Sequence, residues 1–357
     1  MRSYRIGVLY GDGIGPEITK SAVDVLEAAT RKSGKVTFEF VTLPMGWEGI
    51  KLYGDPMPQI TKDALKGTHG WIMGPHDSAA YPAEFQKGRN PSGELRHYFD
   101  LFSNVRPAKT MPGVPSIAGE ADVVIFRENT EGFYCDRNMH LGIGEWHITE
   151  DVVVSSGVFT RKAITRIAHE AFRMARKRRK KVSIVHKANV IRLGSGLFLN
   201  VCREVAKEYP DVAVDDYHID AATVHLVRRM RDFDVIVTEN MFGDILSDLT
   251  GELTGSLGMA PSINTNGRQA MAQAAHGSAP DIAGQNVANP CGILFSTVML
   301  LDWLAARHND ETVAEVAKLM EQGVMKTLED GVKTKDLGGT ASTTDFTAAI
   351  CERIANA

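Results

Sequence analysis

Two aspartates four residues apart, Asp244 and Asp248, are the first candidates for chemistry in this sequence. They follow an apolar run at residues 235–237 that predicts a buried strand, and Gly243 leads into a predicted helix. Residues four apart share one helical face, where two carboxylates repel each other unless a cation lies between them. Carboxylate oxygens suit Mg²⁺ or Mn²⁺, but the helix dipole also favours acidic first turns. The pair alone leaves a metal site and a solvated helix start both open.

Other side chains that could take part in chemistry lie at the ends of predicted strands and helices. They are Arg96, Arg106, Arg127, Tyr134, Lys187 and Asp220. A guanidinium group binds a carboxylate through two parallel hydrogen bonds. A lysine or a tyrosine can move protons where its surroundings tune its pKa. Together with the two aspartates, this set indicates an anionic, metal-chelating substrate such as a hydroxy-dicarboxylate.

The elements that must position these groups alternate between strands and helices, which indicates an α/β fold. Ligands of open α/β sheets bind at the carboxyl ends of strands. Arg127 follows a predicted strand at residues 122–126, as this rule expects. Arg96 lies on a predicted helix over residues 95–104, and Arg106 follows that helix.

A glycine-rich turn at residues 11–17 follows the first predicted strand and leads into a helix, with Pro16 at a favourable first position. Its pattern, Gly-Asp-Gly-Ile-Gly-Pro, differs from the GxGxxG of Rossmann nucleotide sites. The turn is either adjacent to a phosphate or nucleotide, or purely structural.

Length and composition limit the function classes. The 357 residues are about twice a typical domain, so two domains or one large α/β unit are expected. Hydrophobic residues make up 43% and charged residues 24%, as in soluble globular proteins. The net charge of −4 argues against a dominant nucleic-acid surface. The one basic run, residues 176–181, is interpreted as a charged helix end rather than a nucleic-acid patch.

Cysteine usage and hydropathy indicate a cytoplasmic protein. Four scattered cysteines without a C-x-x-C pair predict reduced thiols; they are Cys135, Cys202, Cys291 and Cys351. The amino terminus lacks signal-peptide features, and no apolar stretch approaches the length of a membrane span. We therefore expect no membrane partner.

The motifs resemble, in order and over nearly the whole chain, those of the isocitrate/isopropylmalate family of metal-dependent β-decarboxylating dehydrogenases. Three of them are RENTEGFY at residues 127–134, NMFGDILSD at residues 240–248 and HGSAPDIAG at residues 276–284. The others are at residues 11–17, 95–96, 104–107, 186–189, 220 and 336–339.

This resemblance implies a two-domain α/β fold that is not a Rossmann fold, with the active site in a cleft. One domain, on the cofactor side, would comprise residues 1–99 and 257–357, and the other residues 100–256. The resemblance also implies a homodimer with shared active sites, and an intersubunit arm at about residues 135–150.

The resemblance also implies roles for the candidate residues. Asp244, Asp248 and the partner subunit's Asp220 would bind Mg²⁺ or Mn²⁺. Lys187, together with Asp220, would accept the proton of the substrate hydroxyl, and Tyr134 would protonate the enolate left after decarboxylation. The substrate carboxylates would be held by Ser92, Arg96, Arg106 and Arg127.

The expected cofactor is NAD. The resemblance implies a binding set of Asn189, His276, Gly277, Ser278, Ala279, Asp281, Ile282 and Asn289. A carboxylate at the adenosine-ribose position accepts hydrogen bonds from the ribose hydroxyls and repels a 2′-phosphate. Family members that use NADP tend to have Lys and Tyr where this chain has Asp281 and Ile282.

The chain departs from the family pattern at residues 89–95, where the substrate is chosen. Isopropylmalate enzymes typically have leucines in this segment, and this chain lacks them. Ser92 could bind a third carboxylate of the substrate, whereas the charge of Glu94 would oppose a third carboxylate. A 3-isopropylmalate-like substrate is the first expectation. The alternatives are isocitrate or homoisocitrate, a D-malate- or tartrate-like substrate and, from another class, a non-catalytic regulatory subunit.

Overall fold

The computed structural model describes residues 2–134, 139 and 142–357. Its strands are β1 (Arg2–Leu9), β2 (Val36–Thr42), β3 (Gly70–Met73), β4 (Ser103–Lys109), β5 (Asp122–Glu128), β6 (Glu145–Thr149), β7 (Val152–Ser155), β8 (Lys181–His186), β9 (Ala213–His218), β10 (Val235–Thr238), β11 (Ile263–Thr265) and β12 (Ala270–Ala272). Its α-helices are α1 (Gly15–Ser33), α2 (Gly46–Tyr53), α3 (Gln59–Leu65), α4 (Pro91–Tyr98), α5 (Arg161–Arg176), α6 (Gly194–Ala206), α7 (Ile219–Arg229), α8 (Asn240–Thr254), α9 (Cys291–His308), α10 (Glu311–Glu329) and α11 (Thr343–Asn356).

The chain forms two compact units. The first comprises residues 1–91, 111–115 and 255–357, and the second residues 92–110 and 116–254. The boundaries predicted from the sequence are 99/100 and 256/257. Helix α4, which carries Arg96, therefore clusters almost entirely with the second unit.

The first unit has five strands in the order β2-β1-β3-β12-β11. All neighbours are parallel except β11 and β12, which are antiparallel. This order differs from the Rossmann order 3-2-1-4-5-6, as expected. Helix α1 buries Ile18, Ala22, Val25 and Leu26 at helical spacing, and it packs against α9, α10 and α11.

The glycine-rich turn before α1 is bound to neighbouring loops by its own backbone. The N–H of Asp12 donates to the carbonyl of Pro75, and that of Ile14 to the carbonyl of Ser278, both at 2.8 Å. Gly13 has φ +58°, and a Cβ atom there would lie 2.1 Å from the Ser278 oxygen. The glycines thus allow the close approach of two turns, which favours the structural interpretation.

Replacing Gly13 by alanine is expected to lower the free energy of unfolding by roughly 3 kcal/mol, because positive φ and a backbone clash act together. Gly34→Ala is the matched control, since Gly34 has φ +63° with nothing within 4 Å of a Cβ atom, and should cost only about 1 kcal/mol. Urea unfolding of both variants measures the difference. Equal losses would show that the contact with Ser278 is unimportant.

The second unit has five strands in the order β4-β5-β10-β8-β9. β5, β10, β8 and β9 are parallel neighbours, so their carboxyl ends lie along one edge. Thr238 in β10 is in register with Arg127 of β5 and with Val185 of β8. The core beneath them includes Val123, Ile125, Leu226, Ile236 and Leu246.

The predicted helix over residues 95–104 is wrong in its second half. Helix α4 ends at Tyr98, Asp100 adopts φ +49°, and β4 begins at Ser103. A positive φ is incompatible with a right-handed helix, so the chain turns there and returns as a strand. Arg106 therefore lies on β4 rather than after a helix.

The predicted arm at residues 135–150 is described only in part. Residues 135–138, 140 and 141, including Cys135, lie outside the described residues. β6 and β7 form an antiparallel hairpin with exposed apolar side chains, among them Trp146, Ile148 and Val153.

The predictions for thiols and membrane spans can be compared directly with the described residues. Cys202, Cys291 and Cys351 are free, as predicted. Across the described ranges, none of the helices has the length and hydropathy needed to cross a bilayer.

Candidate active site

The two aspartates lie inside α8 rather than at its start. The helix begins at Asn240 and its first turn carries no acidic residue, so the stabilising effect of the dipole, confined to the first turn, does not account for them. Gly243 faces Arg127, where a Cβ atom would lie 2.6 Å from Cγ of that arginine. The absence of a side chain at Gly243 therefore lets α8 approach Arg127 closely, with Asp244 beside that arginine.

Arg127, at the carboxyl end of β5, is almost completely buried. Its Nε donates to the backbone carbonyl and to Oδ1 of Asn240, at 2.9 and 3.0 Å. Its Nη1 donates to Oδ1 of Asp244 at 2.6 Å. Residue Asn240 thus fixes the plane of the guanidinium group.

Arg106 reaches the same carboxylate from β4. Its Nε donates to Oδ1 of Asn104, and its Nη1 to Oγ of Ser247, both at 2.7 Å. The same Nη1 lies 3.2 Å from Oδ1 of Asp244 and 3.8 Å from Oδ1 of Asp248. The antiparallel pairing of β4 with β5 places Asn104 opposite Arg127, which brings the two arginines together.

The two aspartates differ in their electrostatic surroundings. Burial by itself would raise the pKa of Asp244, but the charges of Arg127 and Arg106 and the hydroxyl of Tyr134 lower that pKa to about 2. Burial raises the pKa of Asp248, and the Arg106 charge opposes that rise. Their side chains stay 35% and 51% exposed, so both remain accessible to a ligand.

Arg96 and Tyr134 complete the group around Asp244. Arg96 on α4 is buried and also contributes to the low pKa of Asp244. The Tyr134 hydroxyl donates to Oδ2 of Asp244 at 2.7 Å, and the Arg127 guanidinium lies 5.4 Å from the tyrosine ring centre. Ser92, one turn before Arg96 on α4, is buried.

This cluster has the chemistry of an anion site. Three buried guanidinium groups lie near the two accessible carboxylates of Asp244 and Asp248. Guanidinium groups bind carboxylates through paired hydrogen bonds, so the cluster suits a substrate that carries carboxylates.

Lys187 and Asp220 form a second, separate pair. Nζ of Lys187 donates to Oδ1 of Asp220 at 2.6 Å, and this hydrogen bond lowers the pKa of Asp220. Lys187 follows the last residue of β8, His186, whose Nδ1 accepts from the N–H of Ala188 at 3.0 Å. The other ring nitrogen of His186 lies 3.1 Å from Oδ1 of Asp216. The turn that carries Lys187 and the exposed Asn189 is thus held by a buried histidine.

Within the described ranges, no three His, Cys, Asp or Glu side chains come together as a metal-binding group. Asp220 therefore does not join Asp244 and Asp248 within one chain. The pair on α8 still has the chemistry that Mg²⁺ and Mn²⁺ prefer, namely accessible carboxylate oxygens on one helical face.

Six of the eight predicted cofactor residues lie in one turn of the first unit, whereas Asn189 follows β8 in the second unit and Asn289 lies beyond the turn. The turn spans residues 276–284 and is held at Ser278 by Ile14 and at Gly284 by Glu17, whose Oε1 accepts from the Gly284 N–H. Its conformation is also fixed at Ala279, which has φ +39°.

His276 in this turn has one ring nitrogen, Nε2, available to a ligand. Its Nδ1 lies 3.0 Å from the carbonyl oxygen of Gly277, and a carbonyl only accepts, so Nδ1 carries the proton. Burial lowers the pKa of this histidine, which keeps the ring neutral and makes Nε2 an acceptor. Nε2 is buried and has no hydrogen-bond partner in the described part of the chain.

The remaining cofactor candidates differ in exposure. Asn289 is buried, with Nδ2 donating to Oδ2 of Asp336 at 2.8 Å. Gly277 and Asp281 are exposed and Ile282 is half-buried. The Asp281 carboxylate makes no ion pair within the described ranges, so its charge is available to a ligand.

Three residues that orient the arginines had no role predicted from the sequence: Asn104, Asn240 and Ser247. All three lie in motifs with the arginines and aspartates. The contacts of Asn104 and Ser247 with Arg106 depend on the antiparallel pairing of β4, which was not predicted, and the contact of Asn240 with Arg127 depends on where α8 begins.

Comparison with known proteins gives consistent matches over the whole chain. A family model described as isocitrate/isopropylmalate dehydrogenase matches residues 5–350. An isocitrate/homoisocitrate dehydrogenase of Thermus thermophilus is 41% identical, covering 99% of both chains. A 3-isopropylmalate dehydrogenase of Archaeoglobus fulgidus is 40% identical, covering 96% of this chain and 97% of its own. The crystal structure of isocitrate dehydrogenase from Methylococcus capsulatus superposes with a TM-score of 0.87 at 36% identity, over 99% of each chain.

Proposed function

The chain belongs to the isocitrate/isopropylmalate dehydrogenase family, and we propose that it oxidatively decarboxylates a malate substituted at C3, with NAD⁺ and Mg²⁺ or Mn²⁺. Membership alone makes it an oxidoreductase that decarboxylates a hydroxy acid. A non-catalytic regulatory subunit is disfavoured, because the arginines, aspartates, lysine and tyrosine are all present.

The observation that carries the proposal is the cluster of Arg96, Arg106 and Arg127 around Asp244. Three guanidinium groups can bind two carboxylates of a malate, and their donors are held by Asn104, Ser247 and Asn240. Preorganised donors of this kind bind planar carboxylates in a fixed orientation.

A divalent ion fits the α8 carboxylates, and Asp244 and Asp248 would hold it. When bound, such an ion makes the C2 hydroxyl more acidic and stabilises the negative charge that remains after CO₂ leaves. The third carboxylate would be the partner subunit's Asp220, since no third acidic group joins the pair within the described residues. This assignment requires a homodimer with shared active sites, and the exposed apolar side chains of the β6–β7 hairpin suit a subunit contact.

The proton steps belong to a lysine and a tyrosine. Nζ of Lys187, which lies 2.6 Å from Asp220, would accept the hydroxyl proton, and a bound NAD⁺ would supply the hydride acceptor. The Tyr134 hydroxyl already lies beside Asp244 and would donate its proton to the carbon that lost CO₂. Lys187 is expected to act from the partner subunit, together with Asp220.

The turn at residues 276–284 has chemistry suited to the adenosine part of a dinucleotide. The buried Nε2 of His276 is an acceptor without a donor among the described residues. An adenine amino group could supply that donor. The exposed carboxylate of Asp281 can accept from ribose hydroxyls and would repel a 2′-phosphate. We therefore assign NAD⁺ rather than NADP⁺.

Replacing Asp281 and Ile282 by Lys and Tyr should shift kcat/KM toward NADP⁺. We expect a change in the NAD⁺/NADP⁺ ratio on the order of 100-fold, about 2.7 kcal/mol, because a repulsive charge is exchanged for an attractive one. Steady-state rates with both cofactors measure it. The matched control is Gln285→Ala, which removes the hydrogen bond from Gln285 to the Asp281 carbonyl, 2.7 Å long, but keeps the Asp281 carboxylate, and should leave the ratio close to that of the wild type. An unchanged ratio in the Lys-Tyr variant would contradict the ribose assignment.

Residues 89–95, which include the start of α4, are expected to select the substituent at C3. A 3-isopropylmalate-like substrate is the first candidate, since Glu94 opposes a further negative charge. Isocitrate or homoisocitrate is the second, favoured by the buried Ser92 and by the presence of three buried guanidinium groups. The deciding experiment is a panel of 3-isopropylmalate, isocitrate, homoisocitrate, D-malate and tartrate with each cofactor and Mn²⁺. The proposal fails if purified protein reduces NAD⁺ with none of them.

A further inference from the structure

A pocket of about 420 Å³ lies in the second unit, at the edge opposite to the arginine–aspartate cluster. It is lined by residues 118–122, before and at the start of β5, and by Arg179, Arg228, Arg229 and Arg231. Arg127 lies five residues beyond Asp122 on β5, about 17 Å away at the rise of an extended strand. The pocket is therefore separate from the proposed active site. We name it the arginine pocket.

Two basic segments that are distant in the sequence meet there. Arg179 belongs to the basic run at residues 176–181, between α5 and β8, and the other three arginines lie at or just beyond the end of α7. The helix dipole favours Arg228 and Arg229 in the last turn of α7. It does not account for Arg231 or Arg179, which lie outside that turn.

The acidic groups nearby pair in part with the pocket arginines themselves. Asp122 and Asp234 accept from Arg178, both at 2.8 Å. Asp234 also lies 3.6 Å from Nε of Arg179, and Asp232 lies 3.7 Å from Arg229. Four arginines and the carboxylates of Glu120 and Asp122 line the pocket, so the charged lining residues leave two positive charges in excess.

The arginines of the pocket differ in the hydrogen-bond and ion-pair partners that they have. The guanidinium of Arg179 donates to the carbonyls of Asp122, Phe233 and Arg231, which fixes its geometry, and Asp234 at 3.6 Å offsets part of its charge. Neither Arg228 nor Arg231 has an acidic partner in the part of the chain that the structure describes. A concave surface with two uncommitted guanidinium groups and one held in place is suited to an anion with several acceptor oxygens.

We propose that the arginine pocket binds a small molecule carrying two or more adjacent phosphate groups. Its volume lies in the range of small-ligand sites, and the guanidinium fork matches phosphate oxygens. The half-buried Ala118 in the lining would contact a nucleoside attached to such phosphates. An extended nucleic acid is disfavoured, because it requires a basic stripe rather than a single local cluster.

The test is isothermal titration of the whole protein with inorganic triphosphate and, separately, with ATP at low salt. Wild-type protein should bind triphosphate saturably, and Arg228→Ala with Arg231→Ala should weaken binding at least tenfold. Lysine at both positions should restore part of the affinity, because it keeps the charge and loses the fork. Tighter binding of ATP than of triphosphate would assign the apolar lining to a nucleoside, and equal binding would assign the phosphates alone.

The matched control is Arg31→Ala with Lys32→Ala, which removes two exposed cations from the last turn of α1 and should leave the affinity unchanged. Thermal unfolding midpoints of all variants confirm that each is folded. The proposal is overturned by an absence of saturable triphosphate binding at millimolar concentration, or by equal losses in the control and the pocket variant. It is also overturned if only a single-stranded oligonucleotide binds.

Discussion

Replacing Asp248 by asparagine is expected to lower activity at limiting Mn²⁺ on the order of 100-fold, with partial recovery at high Mn²⁺. The substitution keeps the size of the side chain but removes a charged oxygen ligand, and even residues behind a metal ligand change metal affinity by about 10–100-fold. Asp248 is half exposed on α8, so the loss is one of binding rather than of folding. Direct Mn²⁺ titration of the variant measures the affinity independently of catalysis.

A control for the general effect of removing a carboxylate from this helix is Glu252→Gln, one turn beyond Asp248 on the same helical face. It should leave the dependence of rate on Mn²⁺ close to that of the wild type. A wild-type dependence of rate on Mn²⁺ in Asp248→Asn would contradict the metal assignment. An equal shift of that dependence in both variants would show that only long-range charge, and not a metal ligand, had been removed.

The α/β class and the strand ends were predictable from the sequence because they depend on local patterns. Apolar runs followed by polar turns placed Arg127 and Lys187 at the carboxyl ends of strands, where the structure has them. The helix predicted up to Asn104 failed because an apolar spacing of 95, 99 and 102 also suits a turn followed by a strand. The end of the helix is set by the positive φ at Asp100. The sequence does not reveal this backbone conformation, because the residue is not a glycine.

The site was predictable as a set of residues but not as a geometry. Residue types indicated carboxylate recognition and a divalent ion, whereas the hydrogen bonds that orient Arg106 depend on the pairing of β4 with β5. The interpretation of the aspartate pair changed most. Counted from Gly243, the aspartates belonged to the first turns of a helix, but counted from Asn240 they lie deeper in α8, beyond reach of the dipole argument.

Mixing two inactive variants is expected to restore activity if the active sites are shared between subunits. Lys187→Ala alone should lower kcat on the order of 10²–10⁴-fold, as the loss of a general base does, and Asp248→Asn is nearly inactive at limiting Mn²⁺. In a hybrid dimer, the site with an intact Asp248 would receive Lys187 from the other subunit, while the second site would lack both. Random pairing in a symmetric dimer then gives roughly a quarter of the wild-type rate.

The basis of this expectation is the separation of two pairs within one chain. Lys187 holds Asp220 at 2.6 Å, while Asp244 and Asp248 gather with the arginines and no third acidic group within the described residues. If each chain instead carried a complete site, both sites of the hybrid would be defective and mixing would restore nothing. Mixing under denaturing conditions followed by refolding, compared with mixing without exchange, distinguishes the two outcomes, and wild-type protein taken through the same cycle calibrates the yield.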